Sequence, residues 1–156
     1  MDSKNIPSRM EHIVLLPLMD KKKIHTVICE LDDVFPHSVV HRSEFDELVD
    51  KIANRALVIV AYNGKSVVGF CAVYMNDFIH REAYITLFAV KAQYQNKHVG
   101  TILLQYIKQI AAINGITKIR LEVEKENLKA IGFYKKNNFK LECQASIASN
   151  YMICLL

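Results

Sequence analysis

The spacing of apolar positions changes period several times along the chain, and each change marks an element. His12 to Leu16 reads as a short strand stopped by Pro17. Asp20 opens a helix whose apolar positions Ile24, Val27, Ile28, Leu31 and Phe35 recur at helical spacing, with Pro36 as its stop. Ser43 and Asp46 read as a capping box for a second helix, which buries Phe45, Leu48, Val49 and Ile52. Ala56 to Tyr62 is an unbroken apolar run, Asn63-Gly64 is a hairpin turn, and Ser66 to Met75 is the answering strand. Ala83 to Val90 predicts a further strand. A polar segment, Lys91 to His98, leads into a long helix from Val99 to near Asn114. Val99, Leu103, Tyr106, Ile107 and Ile110 share one face of it, and Gly115 stops it. Lys118 to Glu124 alternates strictly, with Ile119, Leu121 and Val123 on its apolar side. Asn127 caps a last helix to about Lys136, and Phe139 to Cys143 and Asn150 to Leu156 close the chain as strands. The order is β-α-α-β-β-β-α-β-α-β-β, a mixed α/β single domain over residues 1–156.

Composition agrees with one compact unit. A chain of 156 residues buries roughly two-thirds of its unfolded surface. With 51% apolar and 23% charged residues, five glycines and three prolines, it is neither disordered nor collagen-like. No apolar run approaches a membrane span, and no apolar signal region follows Met1 to Asn5, so a cytoplasmic protein is expected. The cysteines at 29, 71, 143 and 154 form no C-x-x-C pair and are expected to be free thiols. The net charge of +4 hides an imbalance. Residues 1–78 carry 9 Lys+Arg against 11 Asp+Glu, and residues 79–156 carry 11 against 5, with no Asp after Asp77. A half with net +6 suits an anionic partner such as nucleic acid, a membrane surface or a phosphorylated cofactor. It equally suits a plain solubilising surface.

Several motifs are excluded. Gly64-Lys65-Ser66 lacks the glycine of a phosphate loop five positions earlier, where Ile59 stands. There is no G-x-G-x-x-G, H-E-x-x-H or G-x-S-x-G, and the six histidines lack ligand spacing, so no metal is expected. Two constellations remain. The stretch from Ala89 to Thr101 joins a strand to a helix through a cationic loop. Its backbone N–H groups would converge on an anion at the helix N-terminus, with Gly100 allowing close approach. An ordinary strand-to-helix connection would look similar. In the second, Asn127, Ala130 and Tyr134 share one helix face, and Glu122 lies on the polar side of the preceding strand. Ile131 and Phe133 are the core candidates of that helix.

Together these segments resemble the GCN5-related N-acetyltransferases. That family's pattern is Gln or Arg, two residues, Gly, one residue, then Gly or Ala; here it is met by Gln95-Asn96-Lys97-His98-Val99-Gly100. The later signature of that family, Asn, Ala, an aromatic-Tyr pair and Gly-Phe, is met by Asn127, Ala130, Phe133-Tyr134 and Asn138-Phe139. His98 and Asn138 stand where the family has glycine. Between Gly100 and Asn127 lie 26 residues holding one helix and one strand, and the resemblance covers essentially the whole chain.

The resemblance implies a mixed, mostly antiparallel sheet flanked by helices. It implies acetyl-CoA as co-substrate, a primary amine as acceptor and direct transfer in a ternary complex. The strand Ala83 to Val90 would splay from Lys118 to Glu124, with the backbone of Phe88 and Val90 holding the pantetheine arm. Backbone N–H groups of Gln95, Asn96, Lys97, His98, Val99, Gly100 and Thr101 would hold the pyrophosphate, and Asn127 and Ala130 would complete the cofactor site. Tyr134 would protonate the leaving thiolate, and Glu122, Glu124 or a water chain would take the amine proton. The acceptor site is expected from Val34–Ser43, Asn76–Glu82 and Gln144–Ser149, which offer His37, His41, Arg42, Asp77, His80, Arg81 and Glu82. The acceptor itself stays open between a small amine, such as an amino sugar or amino acid, and a peptide or protein amine. The alternatives are a CoA-binding regulatory module of the same fold and a nucleic-acid binder. The dispersed lysines, without interleaved aromatics, argue against the last. A homodimer through the last strands is left open.

Overall fold

The computed structural model describes residues 12–156. The reading of the amino terminus lies outside them. Strand β1 (Ile13–Pro17) leads to helix α1 (Lys21–Glu30). Asp20 caps α1 as expected, its carboxylate accepting from the Lys23 N–H at 2.9 Å. The helix is shorter than its apolar pattern: it ends at Glu30, and Asp32–Val34 form a single 3-10 turn. Helix α2 (Phe45–Arg55) follows without the expected capping box. The Ser43 hydroxyl donates instead to the carboxylate of Glu44, the residue at the cap position.

Strands β2 (Ala56–Asn63), β3 (Ser66–Asp77) and β4 (Glu82–Val90) form an antiparallel meander. Helix α3 (Val99–Ile113), strand β5 (Lys118–Glu124), helix α4 (Leu128–Lys136) and strands β6 (Lys140–Gln144) and β7 (Ser149–Leu155) complete the fold. The single sheet runs β1-β2-β3-β4-β5-β7-β6, and only β4 and β5 are parallel. Pro17 belongs to β1, where an edge position spares its missing N–H.

The sheet separates two cores. On one face, Ile24, Ile28, Val49 and Ile52 of α1 and α2 pack on Val58, Val60, Phe70 and Ala72. On the other, Leu103, Leu104, Ile107 and Ala111 of α3 pack on Ile59, Cys71, Val73, Ile119 and Leu121. Helix α4 contributes Tyr134 to this second core, 9% exposed, whereas Ile131 and Phe133 are only partly buried. That corrects the sequence reading: the aromatic assigned to chemistry is also the buried residue of its helix.

One irregularity decides what the sheet can do. Leu87 pairs with Ala72 and Ile85 with Val73, so β4 carries one extra residue, Thr86, against β3. Such a bulge bends the strand and inverts the alternation of its side chains. Ala83 and Ile85 therefore face α3, while Leu87 and Ala89 face α1 and α2. Pairing with β5 stops at the same point: Glu82 to Ile85 match Lys118 to Leu121, and nothing beyond pairs.

A cleft through the sheet

Where β4 and β5 part, a cleft of about 980 Å³ passes between their carboxyl-terminal halves. Thr86, Phe88 and Val90 form one wall, and Leu121, Glu122 and Val123 form the other. This is the splay that the family resemblance implied, and it begins at the bulge.

One end of the cleft is bounded by the connection between β4 and α3. Asn96 and His98 have φ of 60° and 65°, in the left-handed region that costs roughly 1–2 kcal/mol for a residue with a Cβ. Asn and His are among the residues found there most often. His98 occupies the cap position of α3 without a side-chain capping bond, so the first-turn N–H groups of the helix are left open. An uncapped helix start following two left-handed residues suits an anion. Asn96, His98, Gly100 and Thr101 line the cleft; Lys97 and Val99 do not. Val99 is fully buried beneath the loop, and the Lys97 ammonium sits 5.6 Å from the centre of the Tyr94 ring. Gly100 has a further reason to be glycine, because a Cβ there would lie 3.0 Å from the Phe133 ring.

Gln95 lines the cleft, but its side chain braces the loop. Its amide donates to the Val90 carbonyl at 3.0 Å and accepts from the Lys129 ammonium. Lys129, at the start of α4, is thus held beside the loop that precedes α3, a residue the motif spacing did not single out. Asn127 and Ala130 also line the cleft. The Asn127 carboxamide caps α4 by accepting from the Ala130 N–H at 3.2 Å. Asn138 has φ of 69°, as its position in the glycine slot suggested.

Tyr134 lies at the middle of the cleft, ringed by Phe133, Phe139 and Phe88 at centroid distances of 5.3, 5.5 and 6.1 Å. Burial, together with the neighbouring Cys71 thiol, raises its phenol well above the usual range. The group is a neutral donor at every ordinary pH.

The opposite end opens toward the connection between α1 and α2, whose Phe35, Pro36, His37 and Arg42 line it. Glu122 and Glu124 reach this end from β5. The Glu124 carboxylate is 3.0 Å from His37 Nε2. Glu122 accepts from the Ser149 hydroxyl. Tyr84 of β4 stands close enough that its phenol is pushed up to about 12, by burial first and then by the Glu122 charge.

Of the three segments expected to build the acceptor side, only Val34–Ser43 lines the cleft. Residues 76–82 lie at the far end of β4, where their polar groups bond elsewhere. Asp77 pairs with His80, the Arg81 guanidinium donates to the Gly115 carbonyl at 2.7 Å, and Glu82 bridges Lys118 and Arg120. His41 turns away to Ser38. Gln144–Ser149 reaches the site only through Ser149. Among the described residues, no three His, Cys, Asp or Glu side chains gather as metal ligands, and no helix is long and apolar enough to cross a membrane.

Asp32 shapes the α1–α2 connection. Its carboxylate accepts from the Val39 and Val40 N–H groups at 2.7 and 3.1 Å and from the Ser38 hydroxyl at 2.6 Å. Burial pushes this carboxyl up, but the bonds from Ser38, Val40 and Val39 outweigh it and hold it below the usual range. The folded value is below the unfolded one, so the bonds contribute fully above about pH 4 and fade as pH falls through the folded value. The Asp32→Ala variant is expected to show several-fold faster hydrogen exchange at Val39 and Val40 near neutral pH. In the parent protein the same acceleration should appear only in acid.

A sequence profile of the acetyltransferase (GNAT) family matches residues 25–139. The fold with its parted parallel strands is an acetyltransferase fold, and the chain belongs to that family. A spermidine N(1)-acetyltransferase of Thermoplasma acidophilum is 29% identical over 98 residues, 62% of this chain and 59% of that protein. The match thus spans less than two thirds of that relative's length. A probable N-acetyltransferase of Drosophila melanogaster, san, is 29% identical over 125 residues, 72% of this chain and 68% of its own. Among solved structures, the PaiA N-acetyltransferase of Thermoplasma acidophilum in complex with coenzyme A superposes with a TM-score of 0.73 at 22% identity. That match covers 93% of this chain and 99% of the other. The ribosomal-protein-S18-alanine N-acetyltransferase of Escherichia coli gives 0.73 at 17% identity, covering 92% and 94%. At these identities the superpositions show the fold.

Proposed function

We propose that the protein transfers an acetyl group from acetyl-CoA to a primary amine in a ternary complex. The observation that carries this is the cleft itself: an uncapped helix start at one end, a buried phenol in the middle and two carboxylates at the other. The residues fit acetyl-CoA as co-substrate. The Gln95 N–H, expected at the phosphates, donates instead to the Ala92 carbonyl at 3.2 Å. N–H groups from Asn96 to Thr101, with Lys129, would hold the phosphates, and the β4 backbone around Phe88 and Val90 would hold the pantetheine arm. The +6 of the second half is then largely accommodation of this anion. The acceptor would enter beneath Phe35 and Pro36.

In this reading Glu122 takes a proton from the incoming ammonium, directly or through water. The freed amine attacks the thioester carbonyl; the carbon–sulfur bond then breaks, and the nitrogen gives up its second proton to solvent as the amide forms. Tyr134 donates a hydrogen bond to the departing sulfur. Its raised phenol keeps the donor neutral but makes complete transfer to a thiolate uphill, so the thiol's proton comes from solvent. Holding amine and thioester together accounts for much of the acceleration. Glu124, paired with His37, is the second carboxylate that a cationic acceptor would meet. Both carboxylates come from β5. Small amines and peptide amino termini both fit this entrance. The free cysteines suit a cytoplasmic setting.

Acetyl-CoA at 100 times its Kd should stabilise the fold by about 2.7 kcal/mol. A melting temperature unmoved by acetyl-CoA would overturn the proposal. Thiol release measured over spermidine, free amino acids, amino sugars and short peptides then identifies the acceptor. Binding without turnover on any of them would favour the regulatory module.

A further inference from the structure

The turn between β6 and β7 contains a polar arrangement that the transfer reaction, as described, does not use. Ser149 is 5% exposed, a hydroxyl buried at the end of a strand. It donates to Glu122 Oε1, and its oxygen lies 2.7 Å from the Ser146 hydroxyl. The Ser146 oxygen in turn accepts from the Ala148 N–H at 3.2 Å. A carboxylate only accepts, so the Ser149 proton points to Glu122. Ser146 must then donate to Ser149. The direction of the chain is fixed from the backbone N–H to the carboxylate.

The turn is itself held at both ends. The Ala145 and Ser146 N–H groups donate to the Ser149 carbonyl at 3.0 and 3.1 Å. The Lys125 N–H donates to the Ala148 carbonyl at 2.9 Å, tying the turn to the end of β5. Register places Ser149 opposite Glu124 and Tyr151 opposite Glu122, so the hydroxyl reaches Glu122 diagonally across the strand pair.

We propose that Ser146 and Ser149 are positioning residues for Glu122, a one-way hydroxyl chain that fixes Oε1 and presents Oε2 to the acceptor amine. The proposal rests on the reading of Glu122 as base. A hydroxyl donating into Oε1 occupies that oxygen and leaves the other free to accept the amine proton. The other groups facing Glu122 are Arg120 and Glu124 on its own strand, Tyr84 on β4 and Tyr151 on β7, with His37 of the α1–α2 connection on Glu124. None of them donates to Glu122 among the described hydrogen bonds, so Ser149 is the group whose removal should be felt.

The test is turnover at saturating acetyl-CoA with spermidine, or with the best acceptor from the amine series, beside a thermal melt. Ser149→Ala is expected to lower kcat at least about 10-fold, the scale of one lost charge-assisted hydrogen bond, with the KM for acetyl-CoA unchanged. Ser149→Thr, which keeps the hydroxyl, should restore it. Ser146→Ala, at an exposed position, should lower it by less. In the Glu122→Gln background Ser149→Ala should cost nothing further, because the carboxylate that it orients is gone. Parental kcat in folded Ser149→Ala overturns the proposal, and if that variant does not fold, parental kcat in Ser146→Ala does so. Full activity in Glu122→Gln alone removes Glu122 as base, and the catalytic purpose of the chain with it.

Discussion

Replacing Tyr134 by Phe is expected to lower kcat by about 10²–10⁴-fold, the usual range for loss of a positioned proton or hydrogen-bond donor. The KM for acetyl-CoA should change little, because binding rests on backbone groups at the other end of the cleft. The substitution keeps the ring that Phe88, Phe133 and Phe139 surround, so it leaves no cavity. Stability should therefore hold while turnover falls, a separation that a purely structural tyrosine would not give. Thiol release at saturating acetyl-CoA, beside a thermal melt, measures both. A Phe variant with parental kcat would remove the phenol from the reaction. Burial holds the phenol above its ordinary range, so the parent enzyme should show no fall in kcat from Tyr134 ionisation up to about pH 10.

The second large effect belongs to Thr86. Deleting it would remove the bulge and make Ile85 and Leu87 ordinary neighbours on opposite faces, so Leu87 and Ala89 keep their places in the α1–α2 core. Regular pairing could then continue past Ile85 along β5 and close the cleft. The deletion variant is expected to fold with both cores intact and to lose its thermal shift with acetyl-CoA. Thr86→Ser keeps the extra residue and should keep the shift. If the deletion variant still responds to acetyl-CoA as the parent does, the bulge is not what opens the sheet.

Thr86 also shows what the sequence could and could not convey. Ala83, Ile85, Leu87 and Ala89 alternate perfectly in the sequence, and all four are buried. Alternation implies a single buried face only when the other face is wet. Here both faces are covered, so the inversion at Thr86 left the apolar pattern untouched. The elements themselves emerged within a residue or two wherever the period was long and clean, as in Val99–Ile113 and Lys118–Glu124. Local polar chemistry was harder to read. Ser43 had the spacing of a capping box, but Glu44 beside it offered a nearer acceptor.

The loop at the start of α3 was legible as a cleft-lining feature because its shape is a backbone requirement, which leaves marks at Gly100 and in the left-handed positions. The acceptor end was not, because it depends on which loops the sheet order brings together. The connection containing Asp77 and His80 follows β3 directly, yet it lies at the opposite end of β4 from the cleft. Ser149 is distant in sequence from Glu122, and only the β5–β7 register brings it within reach. Tyr134 shared one helix with Phe133 and Ile131, and burial separated them in a way that helical spacing could not.

The loop before α3 has a consequence for how this protein can vary. The anion site proposed there would be formed by N–H groups, and those belong to every residue except proline. Side chains at 96 to 98 are therefore open to neutral drift so long as each tolerates the backbone imposed there. His98, with φ of 65°, is a case of that freedom: the glycine is gone and the shape is kept. Descendants of this chain could lose almost every recognisable letter of the loop while retaining the loop itself. Gly100, which faces the Phe133 ring, is the letter with least room to change.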